Sequence, residues 1–148
     1  MKVVFMGTPD FSVATLKAIV EAGHEVAAVV TQPDKPKGRG GAMSFSDVKQ
    51  AAIELGLLVL QPKRARDEEF VNELRKINPD VIVVVAFGQI LSKEILDMPK
   101  YGCVNVHASL LPKYRGASPI QWAVIDGCEY SGVTTMMMNG GKIGRAHV

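Results

Sequence analysis

Asn105 and His107 stand two positions apart in Val104-Asn105-Val106-His107, a segment otherwise made of strand-forming residues. Side chains alternate along a strand, so the amide and the imidazole share one face while the valines take the other. Each such polar group in a buried strand costs on the order of 1–3 kcal/mol unless it finds a partner. The pair also falls where an open parallel sheet binds its ligands, at the carboxyl end of a strand. Both could instead bond loop backbone and pin residues 109–116. The spacing at this edge, with a long loop behind it, favours a site.

Two neighbouring segments could complete one. In Ser109-Leu110-Leu111-Pro112 two leucines between a serine and a proline can floor a pocket for a flat heterocycle, or simply pack a loop onto the sheet. Phe87, Gly88, Gln89, Ile90 and Leu91 are expected to face the same crevice, with Gly88 allowing a ligand close to the backbone. A third segment differs in charge. Residues 31–41 carry Lys35, Lys37 and Arg39 against Asp34 alone, a local excess equal to the chain's formal net charge of +2. Such a loop can track phosphates, Arg gripping one in a fork of two hydrogen bonds, although composition alone equally describes a solvated loop. Lys63, Arg64 and Arg66 run directly into Asp67, Glu68 and Glu69 and read as a helix entrance.

Other chemistries find no support. Gly7 sits in the first strand–helix turn, but no Gly-x-Gly-x-x-Gly follows, which argues against a dinucleotide cofactor. Residues 38–41 lack the Lys-Ser/Thr ending of a phosphate loop, and no serine occupies a Gly-x-Ser-x-Gly elbow. Cys103 with His107 is half of a zinc site at best, so no metal is expected.

The elements that must position these residues alternate regularly. Residues 2–6 and 26–30 read as strands, separated by a helix for which Thr8 is the expected N-cap, Pro9 the first helical residue and Gly23 the stop. Val48, Ala51, Ala52 and Leu55 mark a second helix, residues 57–60 a short strand, and Phe70, Leu74 and Ile77 a helix capped by Asp67 and ended by Asn78-Pro79. Residues 81–85 are apolar without alternation, as expected of a strand covered on both faces. A short helix from Ser92, a strand over 102–107, a helix opened by Ser118-Pro119 and a sixth strand over 133–138 complete the series. The expected fold is α/β: a doubly wound, mostly parallel, Rossmann-like sheet of about six strands with helices on both faces.

Composition agrees. Among 148 residues, 47% are hydrophobic and 22% charged, ordinary for a folded domain and incompatible with a disordered chain. Two cysteines cannot build a disulfide framework, and no apolar run is long enough for a membrane span or signal core. A cytoplasmic protein, monomeric and without a membrane partner, is expected.

Residues 105–116, Asn-Val-His-Ala-Ser-Leu-Leu-Pro-Lys-Tyr-Arg-Gly, resemble the signature of the folate-dependent formyltransferases. Phe5-Met6-Gly7-Thr8-Pro9-Asp10-Phe11 and the Pro33–Gly40 loop resemble the branch of that family acting on aminoacylated initiator tRNA, the likeness extending to about Asn139. It implies the formyltransferase fold and, as activity, transfer of a formyl group from 10-formyltetrahydrofolate to the amino group of methionyl initiator tRNA in translation initiation. Asn105 and His107 match two of the family's three catalytic residues. There an imidazolium and an amide can stabilise the oxyanion formed when the amine attacks the formyl carbon. Residues 109–112 match the folate-binding segment, the loop after Val85 a wall of the pterin pocket, and Lys35, Lys37 and Arg39 the insertion reaching the tRNA acceptor stem.

The resemblance breaks at the end of the chain. Where the family continues Gly-Leu-Asp-Thr-Gly-Asp, its first Asp being the third catalytic residue, this sequence has Ile143. Residues 1–142 are therefore expected to form an incomplete catalytic domain and 143–148 a non-native tail, with the family's C-terminal tRNA-binding barrel absent and activity impaired. The alternatives are a formyltransferase for a small amine, which would have no acceptor stem to contact, and a non-catalytic folate- or RNA-binding piece.

Overall fold

The computed structural model describes residues 1–107, 125–127 and 132–138. The chain alternates between strand and helix as β1 (Lys2–Gly7), α1 (Asp10–Glu21), β2 (Glu25–Val30), β3 (Lys35–Lys37), β4 (Ala42–Ser44), α2 (Asp47–Glu54), β5 (Val59–Leu60), α3 (Glu68–Ile77), β6 (Val81–Val85), α4 (Lys93–Asp97), β7 (Cys103–His107) and β8 (Thr134–Met138). Six of the strands form one sheet in the order β5-β2-β1-β6-β7-β8. The first five run parallel, and β8 lies antiparallel to β7 along the edge. The expected doubly wound, mostly parallel sheet is thus present.

Alternation along the strands sorts the core into two layers. Val4 and Met6 of β1, Ala28 and Val30 of β2 and Ile82 and Val84 of β6 pack with Phe70, Val71 and Leu74 of α3 and Ile95 and Leu96 of α4. Phe5, Val29 and Val85 face the other way, toward Leu16 of α1 and Val48, Ala51 and Ala52 of α2. The helices therefore clothe both faces, which is why β6 reads as one uninterrupted apolar run. Cys103 lies in the α3–α4 layer, so period-two alternation assigns Asn105 and His107 to that side.

Several local readings need correction. The N-cap of α1 is Pro9, with extended backbone and no side-chain bond, and the helix begins at Asp10. Thr8 does not cap because its hydroxyl donates across the sheet to the Phe87 carbonyl at 2.8 Å. Asp67 occupies the N-cap of α3 but makes no side-chain cap bond, whereas Ser46 and Ser92 do cap α2 and α4. The third strand shrinks to Val59–Leu60. The basic loop is not irregular: β3 and β4 pair as an antiparallel hairpin, Lys35 opposite Ser44 and Lys37 opposite Ala42, turned by a single 3₁₀ turn over Gly38–Gly40. Of the helix expected from Ser118, residues 118–124 lie outside the described residues; Ile125 is helical and a turn over Asp126-Gly127 follows, where the sequence places the stop.

Candidate functional site

The carboxyl edge of the sheet is crowded at its topological switch point. A Cβ on Gly7 would sit 2.8 Å from the Val85 carbonyl oxygen, so β1 and β6 leave together with no room for a side chain. Ser12 Oγ donates to that same carbonyl at 2.6 Å, and Thr8 Oγ1 stitches β1 to Phe87 one turn further on. These bonds tie β1 to the end of β6 where doubly wound folds commonly hold a nucleotide. The polar pair lies one strand along, on β7.

Asn105 is 1% exposed and His107 5%, beside Val84 of β6 on one flank and β8 on the other, where Asn105 faces Met136 and His107 faces Thr134. The Asn105 Nδ2 is buried and has no hydrogen-bond partner among the described residues. An amide that has lost water and gained nothing is costly. A group bound beside β7 could satisfy such a donor.

The loop that follows β6 is arranged differently from what the sequence implies. Phe87 and Leu91 are core residues of the α3–α4 layer, Ile90 projects at 62% exposure, and Gln89 is half-buried. Ala86 takes a left-handed φ of 51°, a conformation that costs an L-residue roughly 1–2 kcal/mol and redirects the chain as it leaves the strand. Gly88 has φ 92°, and a Cβ there would meet Gln32 Nε2 at 2.7 Å; the close approach it permits here is made by the Gln32 side chain. Gln89 spans the gap beneath, its Oε1 accepting from the Ala65 N–H at 2.6 Å and its Nε2 donating to the Pro62 carbonyl at 3.0 Å. Ser109, Leu110, Leu111 and Pro112 lie outside the described residues.

The basic hairpin stands on a braced base. Lys49 Nζ meets both Asp34 carboxylate oxygens, at 2.9 and 3.0 Å, and lies 3.7 Å above the Phe45 ring. Gln61 Nε2 donates to Asp34 Oδ1 at 2.8 Å. These bonds, that from Gln61 foremost and then those from Lys49, hold the Asp34 carboxyl below its ordinary pKa, the positive charge of Lys49 adding to the effect. Thr31 and Ser46 hydroxyls, 2.6 Å apart, close the hairpin at its root. With Asp34 already paired, the exposed Lys35 and Arg39 leave the hairpin net positive; Lys37 lies between them in β3.

No group of three or more His, Cys, Asp or Glu side chains gathers as a metal site among the described residues. Burial pushes the Cys103 thiol up to about 12, helped by the charge of Asp97, so it stays a thiol within the core. No helix among the described residues is long and apolar enough to cross a membrane. A cleft of about 320 Å³ at the far edge, between β5 and α3, holds none of the candidate residues. Gln32, Gln61 and Lys49 are the polar groups the sequence reading missed. A glutamine's partner across the sheet leaves no periodic trace.

Doubly wound sheet, buried amide and imidazole on β7, and basic hairpin after β2 describe an α/β domain with polar groups at its carboxyl edge, and the chain belongs to the formyl transferase family, whose model matches residues 1–142. Among curated proteins it is 74% identical over 141 residues to the methionyl-tRNA formyltransferase of Lachnospira eligens and 68% identical over 141 residues to that of Agathobacter rectalis. Each alignment covers 95% of this chain but only 45% and 46% of the relative, so the chain spans just under half their length. Among solved structures, glycinamide ribonucleotide transformylase 1 from Symbiobacterium toebii superposes with a TM-score of 0.75 over 95% of this chain and 67% of its own, at 16% identity. A sugar N-formyltransferase from Shewanella does so with 0.60, over 95% of this chain and 52% of its own, at 19% identity. At such identities these two structures speak for the fold alone.

Proposed function

We propose that this domain carries the formyl-transfer site of an enzyme that formylates methionyl initiator tRNA from 10-formyltetrahydrofolate. The observation that carries the reading is the buried, unpartnered Asn105 Nδ2. It suits a donor group whose oxygen must be held in a dry place. The folate, when bound, supplies a formyl carbon open to attack by an amine and a nitrogen leaving group. Asn105 Nδ2 donates to the formyl oxygen as negative charge builds on it, and the imidazole of His107, two residues on, shares that charge. Preorganised donors of this kind need no reorientation during reaction, which is the source of their effect. No covalent enzyme intermediate is required. Residues 87–91 and 109–112 would hold the pterin, and a cytoplasmic setting follows from the proposed substrates.

The hairpin chooses the acceptor. Lys35 and Arg39 are exposed on a braced projection whose length a small amine would not need, whereas an acceptor stem presents phosphates to it. Their companion Lys37 belongs to the same proposed contact.

With this domain joined to the C-terminal half of a full-length relative, Asn105→Ala and His107→Ala are each expected to lower kcat at least about 100-fold, the scale for losing an oxyanion-stabilising donor. A loss under about tenfold would remove both from the chemistry. Turnover of glycinamide ribonucleotide in place of methionyl initiator tRNA would overturn the acceptor assignment and leave the donor site standing.

A further inference from the structure

The loop after β6 and the base of the basic hairpin are separate in sequence yet share one run of amide hydrogen bonds. Gln89 Nε2 donates to Gln32 Oε1 at 2.8 Å, and Gln32 Nε2 donates back to the Gly88 carbonyl at 3.0 Å. The Gln32 backbone carbonyl accepts from Gln61 Nε2 at 3.2 Å, and the same Gln61 nitrogen reaches Asp34, which Lys49 grips. Gln89 uses both amide hydrogens and its carbonyl oxygen in this arrangement. Only a side chain that donates and accepts at once can occupy either position, which is the chemical reason for paired glutamines. Gly88 belongs to the device too, because a Cβ there would collide with Gln32 Nε2.

We propose that Gln32 and Gln89 are positioning residues that lock the loop after β6 to the root of the basic hairpin, so that a folate held by the loop stiffens the hairpin that receives RNA. The proposal rests on the donor and acceptor sites assigned above, and goes beyond them in naming the link. Neither glutamine need touch the reacting atoms. Their role is to set where Lys35 and Arg39 stand relative to the wall of the donor pocket. Gln32 joins the two ends through its own side chain and backbone, so freeing its side chain removes the tether between them.

The test is limited trypsin digestion of the 148-residue chain, following cleavage after Lys37 and Arg39 against cleavage after Arg75 and Lys76 in α3. Gln89→Leu is expected to raise hairpin cleavage about tenfold and leave α3 unchanged, the scale for opening a segment that has lost one or two net hydrogen bonds. Gln89→Glu keeps the acceptor for Ala65 and loses both donors; it should behave like Gln89→Leu. If it matches the unsubstituted chain, the Ala65 bond alone matters and the proposal fails. Should Gln89→Leu raise cleavage at both places, the smaller change Gln32→Ala decides, and hairpin cleavage unchanged in it overturns the link. In a second arm, saturating tetrahydrofolate should protect the hairpin of the unsubstituted chain and not that of Gln32→Ala. Calorimetric binding of tetrahydrofolate without protection overturns the coupling while the donor site stands. Absence of binding overturns the donor site and the coupling together, and the Gln89→Leu comparison then decides the bridge by itself.

Discussion

Asn105 is placed where a stable core would hold an aliphatic residue. Its neighbour on β6 is Val84, its neighbour on β8 is Met136, and its Nδ2 contributes nothing to the fold. Asn105→Ala should therefore change the unfolding free energy by no more than about 1 kcal/mol, against roughly 2–5 kcal/mol for Leu74→Ala in the core of α3, in paired urea titrations. A large loss on Asn105→Ala would mean that the amide is structural. Asp34 presents the opposite case, a polar side chain with every partner supplied. Its carboxyl 13C titration should have a midpoint below 3.8 that moves up toward that value in Gln61→Leu. The sign follows from the depressed pKa: the brace is complete above pH 3.8 and is lost as pH falls through the folded-state midpoint below it.

At the level of elements, the decisive events occur where strands end. Ala86 leaves β6 with a left-handed backbone that its side chain resists, and is held so by Thr8 bonding at Phe87 and by Gln32 bonding at Gly88. Ala86→Gly should relieve that strain and raise stability by about 1 kcal/mol, less the extra entropy glycine gives the unfolded chain, read as a shift of the urea midpoint at constant slope. A lowered midpoint would mean that the methyl group packs usefully. The element most changed from its sequence reading is the hairpin β3–β4. Proline and glycine signalled a loop, but Thr31 with Ser46 and Asp34 with Lys49 close its root so that its arms meet.

Across the whole molecule, the basic hairpin and the buried polar pair are separated by the width of two strands. The basic hairpin follows β2, the buried pair lies on β7, and β1 and β6 stand between them in the sheet. In the proposed reading a stem of RNA lying along that carboxyl edge touches the exposed hairpin. Its binding should then weaken with salt: about one unit of slope in log K against log salt should disappear in Arg39→Ala, with tetrahydrofolate affinity unchanged. Equal damage to both affinities would make the hairpin a support and not a contact.

The amino-acid sequence by itself determined the layering of the domain, the unbroken apolar strand at its centre and the shared face of Asn105 and His107. Those features follow from periods of two and of 3.6 residues, which any stretch of chain carries within itself. Only tertiary structure decided that Thr8 bonds a distant carbonyl instead of capping its own helix, that Gly88 makes room for Gln32, that β8 turns antiparallel, and that the Asn105 Nδ2 lacks a partner among the described residues. Each of those depends on which groups meet across the sheet, and a hydrogen bond between residues tens of positions apart is written in neither residue's surroundings along the chain.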